Sequence, residues 1–345
     1  MTRVTVVSPE PTPYRAPLFD RIAARKDIDL TVVYAARTVA GRTWDVDLGH
    51  EAVFLSGPRL PLVASLLRHD YPVTPGIFKA LRSTRPDVVV VSGWSTFASQ
   101  AAIAWCLARR IRYLLLVESH DLGPRSAWRR AVKGAVVPRL VRPAAGVLVV
   151  GSAARDSVVA RGASPERVRV FANTVDVARW SDRAGRLQRR PHDGVVVLSV
   201  GRDVPEKGFD VLRAACKRAD LRLELVVGGV SEEELAQRYV DADVFALLSR
   251  HETWGVVVNE AAASGLPLVL SDRVGAAYDL LQDGENGFLV PADDVDAATG
   301  ALRTLAADPE LRRRMGERSR ELVRAWDYDS SVEAFVAAVR EATPR

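Results

Sequence analysis

His251-Glu252-Thr253-Trp254-Gly255-Val256-Val257-Val258-Asn259-Glu260-Ala261-Ala262-Ala263-Ser264-Gly265-Leu266-Pro267 stands between two short apolar runs, Val244 to Leu248 before it and Leu268 to Leu270 after it. The pattern reads strand, loop, helix, turn, strand, the repeating unit of a parallel α/β sheet. Glu252 then falls in the loop at the C-terminal edge of the first strand, and Glu260 about one turn into the helix. Ligands of open α/β sheets bind along that edge. A surface loop with two solvated acids would show the same spacing, so the neighbouring units decide between the readings.

The unit before it begins with the apolar strand Val195 to Val200 and continues as Gly201-Arg202-Asp203-Val204-Pro205-Glu206-Lys207-Gly208. A glycine at a strand end lets a ligand approach the backbone. Arg202 and Lys207 flank a tight loop that opens a helix running to about Arg218. Backbone N–H groups and the helix dipole favour an anion there. Arg grips phosphate oxygens in bidentate fashion, while Lys acts as a movable point charge. Two cations and two carboxylates on neighbouring βα units suit a ligand that carries both a diphosphate and hydroxyl groups, which is a nucleotide sugar. Acid/base work on a glycosidic bond by the Glu252/Glu260 pair would leave the cationic loop unexplained.

Further out, the same βα layout is used twice. Val4 to Ser8, Leu30 to Tyr34, Asp87 to Ser92, Tyr113 to Val117, Gly146 to Val150 and Val168 to Phe171 read as strands of a first series. Near-continuous apolar runs of this kind belong to strands buried on both faces. Thr38 to Leu67 reads as irregular, with turns at Gly41 and Gly57-Pro58. Arg179 to Gly194 is polar and without an apolar period, which suits a linker. The expected organisation is therefore a first domain over 1–178, a linker over 179–194, a second domain over 195–325 and a terminal helical segment over 326–345. The 345 residues are too many for one ordinary core and suit two.

With 48% hydrophobic and 26% charged residues the chain has the composition of a soluble globular protein. The net charge of +5 suits a polyanion, an anionic membrane face or a phosphate-bearing substrate alike and by itself decides nothing; no nucleic-acid partner is expected. Cys106 and Cys216 are the only cysteines, with no disulfide framework and no metal-type spacing. Met1-Thr2-Arg3 leads straight into a strand, so a secretory leader is not expected and a cytoplasmic location is. A basic helix of about Ser126 to Leu140, with Trp128, Arg129, Arg130 and Lys133, suits weak peripheral contact with the inner face of an anionic membrane, or plain solvation.

Gly201-Arg202, Glu206-Lys207-Gly208, Glu252 to Ala261, Gly265-Leu266-Pro267, Ser271-Asp272-Arg273-Val274-Gly275 and Glu285-Asn286-Gly287-Phe288 together resemble the C-terminal half of a family 4 glycosyltransferase. In the N-terminal half the resemblance is confined to layout and to Pro13-Tyr14-Arg15 and Glu118-Ser119-His120. It implies an α/β fold of GT-B architecture, two Rossmann-like domains facing a central cleft, with the last helix packing back on the first domain. It also implies a retaining, metal-independent transfer from a nucleotide-diphosphate sugar to an acceptor hydroxyl, with no bound cofactor and no metal. The roles it implies are these. Arg202 and Lys207 hold the diphosphate and stabilise the leaving group. Glu260 binds the ribose, and Glu252 binds hydroxyls of the transferred sugar. Backbone N–H groups of Thr253, Trp254 and Gly255 help Glu252, and His120 reaches across the cleft towards the reacting centre.

Three readings stay beside it. Asp241-Ala242-Asp243 resembles the metal-binding D-x-D of other glycosyltransferases, but its place between a helix and a buried strand suits turn and cap chemistry. Tyr14, Arg15 and Trp94 stand at strand ends of the first domain, where an acceptor would bind. Between Gly208 and Tyr239 only Leu223 to Val227 reads as a strand, where the family has two strands with a helix between them, so one βα unit is missing. An epimerase or phosphorylase of the same fold, or a nucleotide-sugar-binding relative without transferase activity, is the alternative. A nicotinamide dehydrogenase is disfavoured because no G-x-G-x-x-G follows any expected strand. The acceptor, whether polysaccharide, lipid-linked glycan or secondary metabolite, is not readable.

Overall fold

The computed structural model describes residues 1–39, 46–59, 70–123 and 127–343. The turn expected at Gly41, the start of the basic helix at Ser126 and the Arg129 side chain lie outside the described residues.

Two parallel sheets carry the chain. The first holds β1 (Thr2–Ser8), β2 (Ile28–Tyr34), β3 (Glu51–Phe54), β4 (Val88–Ser92), β5 (Arg112–Val117), β6 (Gly146–Val149) and β7 (Val168–Val170), in the order β3-β2-β1-β4-β5-β6-β7. The second holds β8 (Val196–Val200), β9 (Arg222–Val226), β10 (Val244–Leu247), β11 (Leu268–Ser271) and β12 (Gly287–Val290), in the order β12-β11-β10-β8-β9. The central strands are apolar on both faces because helices cover both. Val88 to Val91 in β4 and Val196 to Val200 in β8 are buried throughout. Register pairs like with like, Val7 beside Val91 and Phe245 beside Leu198.

The structure corrects two expectations. Within Thr38 to Leu67, read as irregular, Glu51–Phe54 forms an edge strand parallel to β2, with Thr31 opposite Glu51 and Tyr34 opposite Phe54. Four residues, the first of them exposed and the rest only part-buried, leave no alternation to detect. Within the stretch read as a linker, Val177–Arg186 is a helix capped by the Asp176 side chain, which accepts from the Arg179 amide. Its buried face is only Val177, Trp180 and Ala184, a helical spacing that begins before the polar stretch. The Trp180 indole N–H donates to Ser264 Oγ at 2.9 Å and its ring meets Tyr239 edge-on, so this helix is packed onto the second sheet's helices.

The last helix, Tyr328–Ala342, returns to the first sheet. Phe335, Val336 and Val339 complete an apolar cluster with Val4, Val6, Leu114, Leu116 and Leu148. A second cluster runs from the inner face of the first sheet into the second, and Trp254 lies in it at 2% exposure. Its ring centroid is 5.0 Å from that of Trp326, just ahead of the last helix. Among the described residues no helix is long and apolar enough to cross a membrane.

Candidate active site

Each sheet reverses its strand order once, between β1 and β4 in the first and between β8 and β10 in the second. Loops leaving such a pair diverge to opposite faces and open a crevice. The two crevices meet: Thr253, from the loop after β10, lines a cavity made otherwise by the loops after β1, β4 and β5.

The β8/β10 side is built from charges. After β8, a single turn of 3-10 helix, Pro205–Lys207, is closed by Gly208 at φ 64°. A Cβ there would lie 2.2 Å from the Leu248 carbonyl oxygen, so only glycine lets this loop press against the end of β10. The Arg250 amide donates to the Glu206 carbonyl at 2.8 Å, which ties the two loops together. That contact brings Lys207 Nζ onto Glu252 Oε2 as an ion pair, each side chain 16% exposed. Arg202 is exposed, and among the described residues its guanidinium has no hydrogen-bond partner. Gly255, at φ 100°, opens the helix Val256–Ala263 and carries Glu260 beneath the same edge. Glu260 is part-buried, and among the described residues its one side-chain partner is the Tyr239 hydroxyl, which donates to Oε2 at 2.8 Å. Burial pushes the Glu260 carboxyl up to about 7, against the pull of that hydrogen bond, and Glu232 adds to the rise.

The β1/β4 side is built from shape. Its cavity, of about 330 Å³, is lined by Pro9, Glu10, Tyr14, Arg15, Tyr71, Trp94 and Glu118 among others. Arg15, 5% exposed, donates through Nη2 to Glu118 at 2.8 Å and to Asn173, and its guanidinium lies 4.8 Å over the Phe171 ring. Thr12 Oγ1, Arg15 Nη1 and Ser119 Oγ are buried without a hydrogen-bond partner. A buried polar group left unmet costs about 1–3 kcal/mol. Three on one wall mark a surface made to meet something polar.

Contacts across the cleft hold the halves together. His120 follows β5 and is fully buried. The Leu122 amide donates to its Nδ1 at 3.3 Å, which leaves the proton on Nε2 to donate to the Glu252 carbonyl at 2.7 Å. Its ring also packs edge-on against His251. Arg273 reaches back to the Leu122 carbonyl. Asp279 takes the amide of Ser152 at 2.9 Å and its hydroxyl at 2.5 Å, capping the helix Ser152–Val159 from the other domain. Burial raises the Asp279 carboxyl, against those two hydrogen bonds. Gly151 lies so close to Trp254 that a Cβ would sit 2.3 Å from its ring.

The structure therefore brings Lys207, Glu252, Thr253 and Gly255 to one edge, with His120 across from Glu252, while the Glu260 side chain meets Tyr239. The Trp254 side chain does not face the cleft: its indole N–H donates to Asn259 Oδ1 at 2.9 Å inside the domain junction. Asp241 and Asp243 lie at the opposite edge of the sheet. Asp243 takes the amide of Val196 at the start of β8, and Asp241 takes the amide of Arg190. In the basic helix, Ala127–Val141, Lys133 does not belong to the outer face: it is 9% exposed and donates to Asp121. Burial alone would raise the Asp121 carboxyl, but the Arg161, Lys133 and Ser157 hydrogen bonds hold it far below the carboxylate range. Glu10, Thr12, Tyr71 and Glu118 were not foreseen as cavity residues; the signal for Glu10 and Thr12 was the stiff Pro9-to-Pro13 loop directly after a buried strand.

Residues 3–174 match the family model for a glycosyl transferase 4-like domain, and residues 224–322 that for glycosyl transferases group 1. The chain is similar to an MMP alpha-(1->4)-mannosyltransferase of Mycolicibacterium hassiacum, at 27% identity over 97% of this chain and 84% of that one. It is also similar to the sulfoquinovosyl transferase SQD2 of Arabidopsis thaliana, at 27% identity over 74% of this chain and 57% of the relative's length. Among solved structures it superposes on Anabaena Alr3699/HepE, described in complex with UDP and glucose, with a TM-score of 0.72 at 14% identity over 99% and 100% of the two chains.

Proposed function

We infer that this chain, which belongs to the family 4 glycosyltransferases of GT-B fold, moves a sugar from a nucleotide-diphosphate sugar to an acceptor hydroxyl, with retention of configuration and without a metal. The observation that carries the reading is the Lys207–Glu252 pair, a cation suited to phosphate and a carboxylate suited to hydroxyls, held one residue from Thr253 on the cavity wall. The UDP and glucose described with HepE support a donor of this class.

In this reading Lys207 leaves Glu252 for the diphosphate, Arg202 grips its oxygens, and the Arg202/Lys207 charge takes the place a metal would have. The freed Glu252 accepts hydroxyls of the transferred sugar, together with backbone N–H groups from Thr253 to Gly255. Glu260 accepts the ribose hydroxyls; their O–H groups meet a part-buried carboxylate that has no cation beside it among the described residues. His120, donating from Nε2, holds the Glu252 carbonyl and so sets the loop's height over the donor. The acceptor hydroxyl attacks from the cavity side and gives its proton to a donor phosphate oxygen. Electrostatic stabilisation of the departing diphosphate, fixed before the reaction begins, then supplies most of the rate.

A thermal-shift screen of UDP, GDP, TDP and ADP sugars identifies the donor, since a ligand that binds only the folded state raises the melting temperature. Transfer assays in a chelator, with the product anomer read by proton NMR, decide metal use and stereochemistry. An inverted product, or activity lost in the chelator and restored by a divalent cation, defeats those parts of the reading.

We also infer weak peripheral contact between the helix Ala127–Val141 and the inner face of an anionic membrane. Trp128, Val132 and Val136, four residues apart, are 54%, 52% and 43% exposed, and the helix contains no acidic residue. Amphipathic helices with this composition lie in the interface plane. Co-sedimentation with phosphatidylglycerol vesicles but not with phosphatidylcholine vesicles is expected, and equal recovery with both refutes it.

A further inference from the structure

We propose that the acceptor is an uncharged ring bearing neighbouring hydroxyl groups, bound in the cavity at the β1/β4 edge and selected by the Arg15–Glu118 pair. This rests on the transferase reading above and adds the chemical class of the acceptor.

Among the described residues lining the cavity, Arg15 is the one cation. Its charge is already committed. Nη2 donates to Glu118 at 2.8 Å and to Asn173, Phe171 supports the guanidinium plane, and the side chain is only 6% exposed. Water screens such a pair poorly. A phosphate or carboxylate entering the cavity would either draw Arg15 away from Glu118 or settle beside that carboxylate. Displacing one member of a charge pair with a buried partner typically weakens binding by about tenfold or more.

The valences left over suit hydroxyls. Arg15 Nη1, Thr12 Oγ1 and Ser119 Oγ are buried donors with nothing to meet. Glu118, whose side chain is 39% exposed, has lone pairs open to the cavity beyond the one Arg15 uses. Arg15 Nη1 and the Glu118 carboxylate, set beside each other by the Nη2 bond, offer one N–H and one lone pair. A pair of adjacent hydroxyls is the complement, because each both donates and accepts. Trp94 and Tyr14 line the same space and present flat apolar faces of the kind on which the C–H face of a sugar or cyclitol rests. The cavity, at about 330 Å³, is at the small end of ligand sites, which suits one ring or two. Thr253 on its wall brings that ring up to Glu252, where the transferred sugar would lie.

The test uses the full chain with whichever nucleotide sugar raises its melting temperature. Initial rates are compared for methyl hexosides and free inositol against hexose 6-phosphates, inositol phosphates and hexuronates. The best neutral acceptor should exceed the best anionic one by about tenfold or more in kcat/KM. Glu118→Gln, which leaves Arg15 uncompensated, should move that ratio towards anionic acceptors by about tenfold, with the nucleotide-induced thermal shift unchanged. Anionic acceptors preferred by the unaltered protein, a ratio that Glu118→Gln does not move, or no transfer to any neutral ring while nucleotide sugar still binds, each overturns the proposal and leaves the donor site standing. No nucleotide binding at all overturns the transferase reading itself, and this proposal with it.

Discussion

The two crevices use the same device, a reversal of strand order, and fill it with different chemistry. At the β8/β10 edge the working groups are ionic: Arg202 is uncommitted, Lys207 and Glu252 hold each other, and Glu260 waits beneath with a single hydroxyl partner. At the β1/β4 edge the cation is buried and already paired, and the open valences belong to an N–H, two hydroxyls and the exposed side of Glu118. A side meant for a diphosphate has to gain charge complementarity on binding and to keep it as negative charge builds up on the leaving group. A side meant for a neutral ring needs outline and hydrogen bonds, and a loose charge there would invite the wrong ligand. Substitutions on the first side should therefore act on donor binding and the chemical step, and those on the second on acceptor recognition.

The largest effect is expected from Lys207→Ala. It removes a cation that the transition state needs more than the ground state does, so kcat should fall by about 10²–10³, as for loss of a preorganised oxyanion partner. Steady-state kinetics with a saturating donor would read it, and a change confined to the donor KM would break the comparison.

Next comes Glu260→Gln. With the folded carboxyl raised to about 7 from an ordinary value of 4.5, the folded protein keeps a proton between those two pH values that the unfolded chain has released. Stability from this group therefore falls as pH rises from 4.5 to 7 and levels off above. In the proposed reading Glu260 meets the ribose hydroxyls as a carboxylate, so nucleotide affinity should rise through pH 7 in the unaltered protein. The glutamine variant should lose the pH dependence, bind nucleotide about tenfold more weakly at pH 8, and gain about 1–2 kcal/mol of stability there. Calorimetric titration of UDP from pH 5.5 to 8.5, with melting curves alongside, checks both signs.

A smaller change is expected on the other side. Trp94→Ala should raise the acceptor KM by about 3–10-fold and leave the nucleotide-induced thermal shift where it was. A loss of nucleotide affinity instead would mean that the two edges are not separable. Smallest of all is Asp241→Asn. It changes a helix-end contact on the far side of the sheet and should leave kcat within about twofold, whether or not magnesium or manganese is added.

How much of this was legible follows from the same division. The β8/β10 edge is written in two local stretches, 201–208 and 251–267, because one βα turn supplies several of its groups at once; the glycines, the cations and both acids could be read without the fold. The cavity at the β1/β4 edge is assembled from the ends of β1, β4 and β5, with Tyr71 from a connecting loop, and no window of sequence contains more than a corner of it. Tyr14, Arg15 and Trp94 could be named as strand-end residues. That Arg15 would be locked to Glu118 and Asn173 depends on residues about a hundred or more positions apart. Trp254 shows the limit from the other direction. Its place beside Glu252 suggested the ligand, whereas its ring is taken up by the junction with Trp326 and Gly151. The helix Val177–Arg186 was missed because three apolar residues carry its entire buried face.

The return of Tyr328–Ala342 to the first sheet bears on how the chain comes to be folded in time. During synthesis the strands β1 to β7 emerge before any of the second sheet, yet Phe335, Val336 and Val339, which close one face of their core, are made after all of it. The first domain must wait with an apolar face open while the second is translated. Contacts this distant along the chain are slow to form, and the waiting surface is the kind that chaperones bind. The earlier half of the molecule is thus finished last, and a ribosome-bound fragment that stops short of residue 328 should be far easier to proteolyse in its first sheet than the released chain.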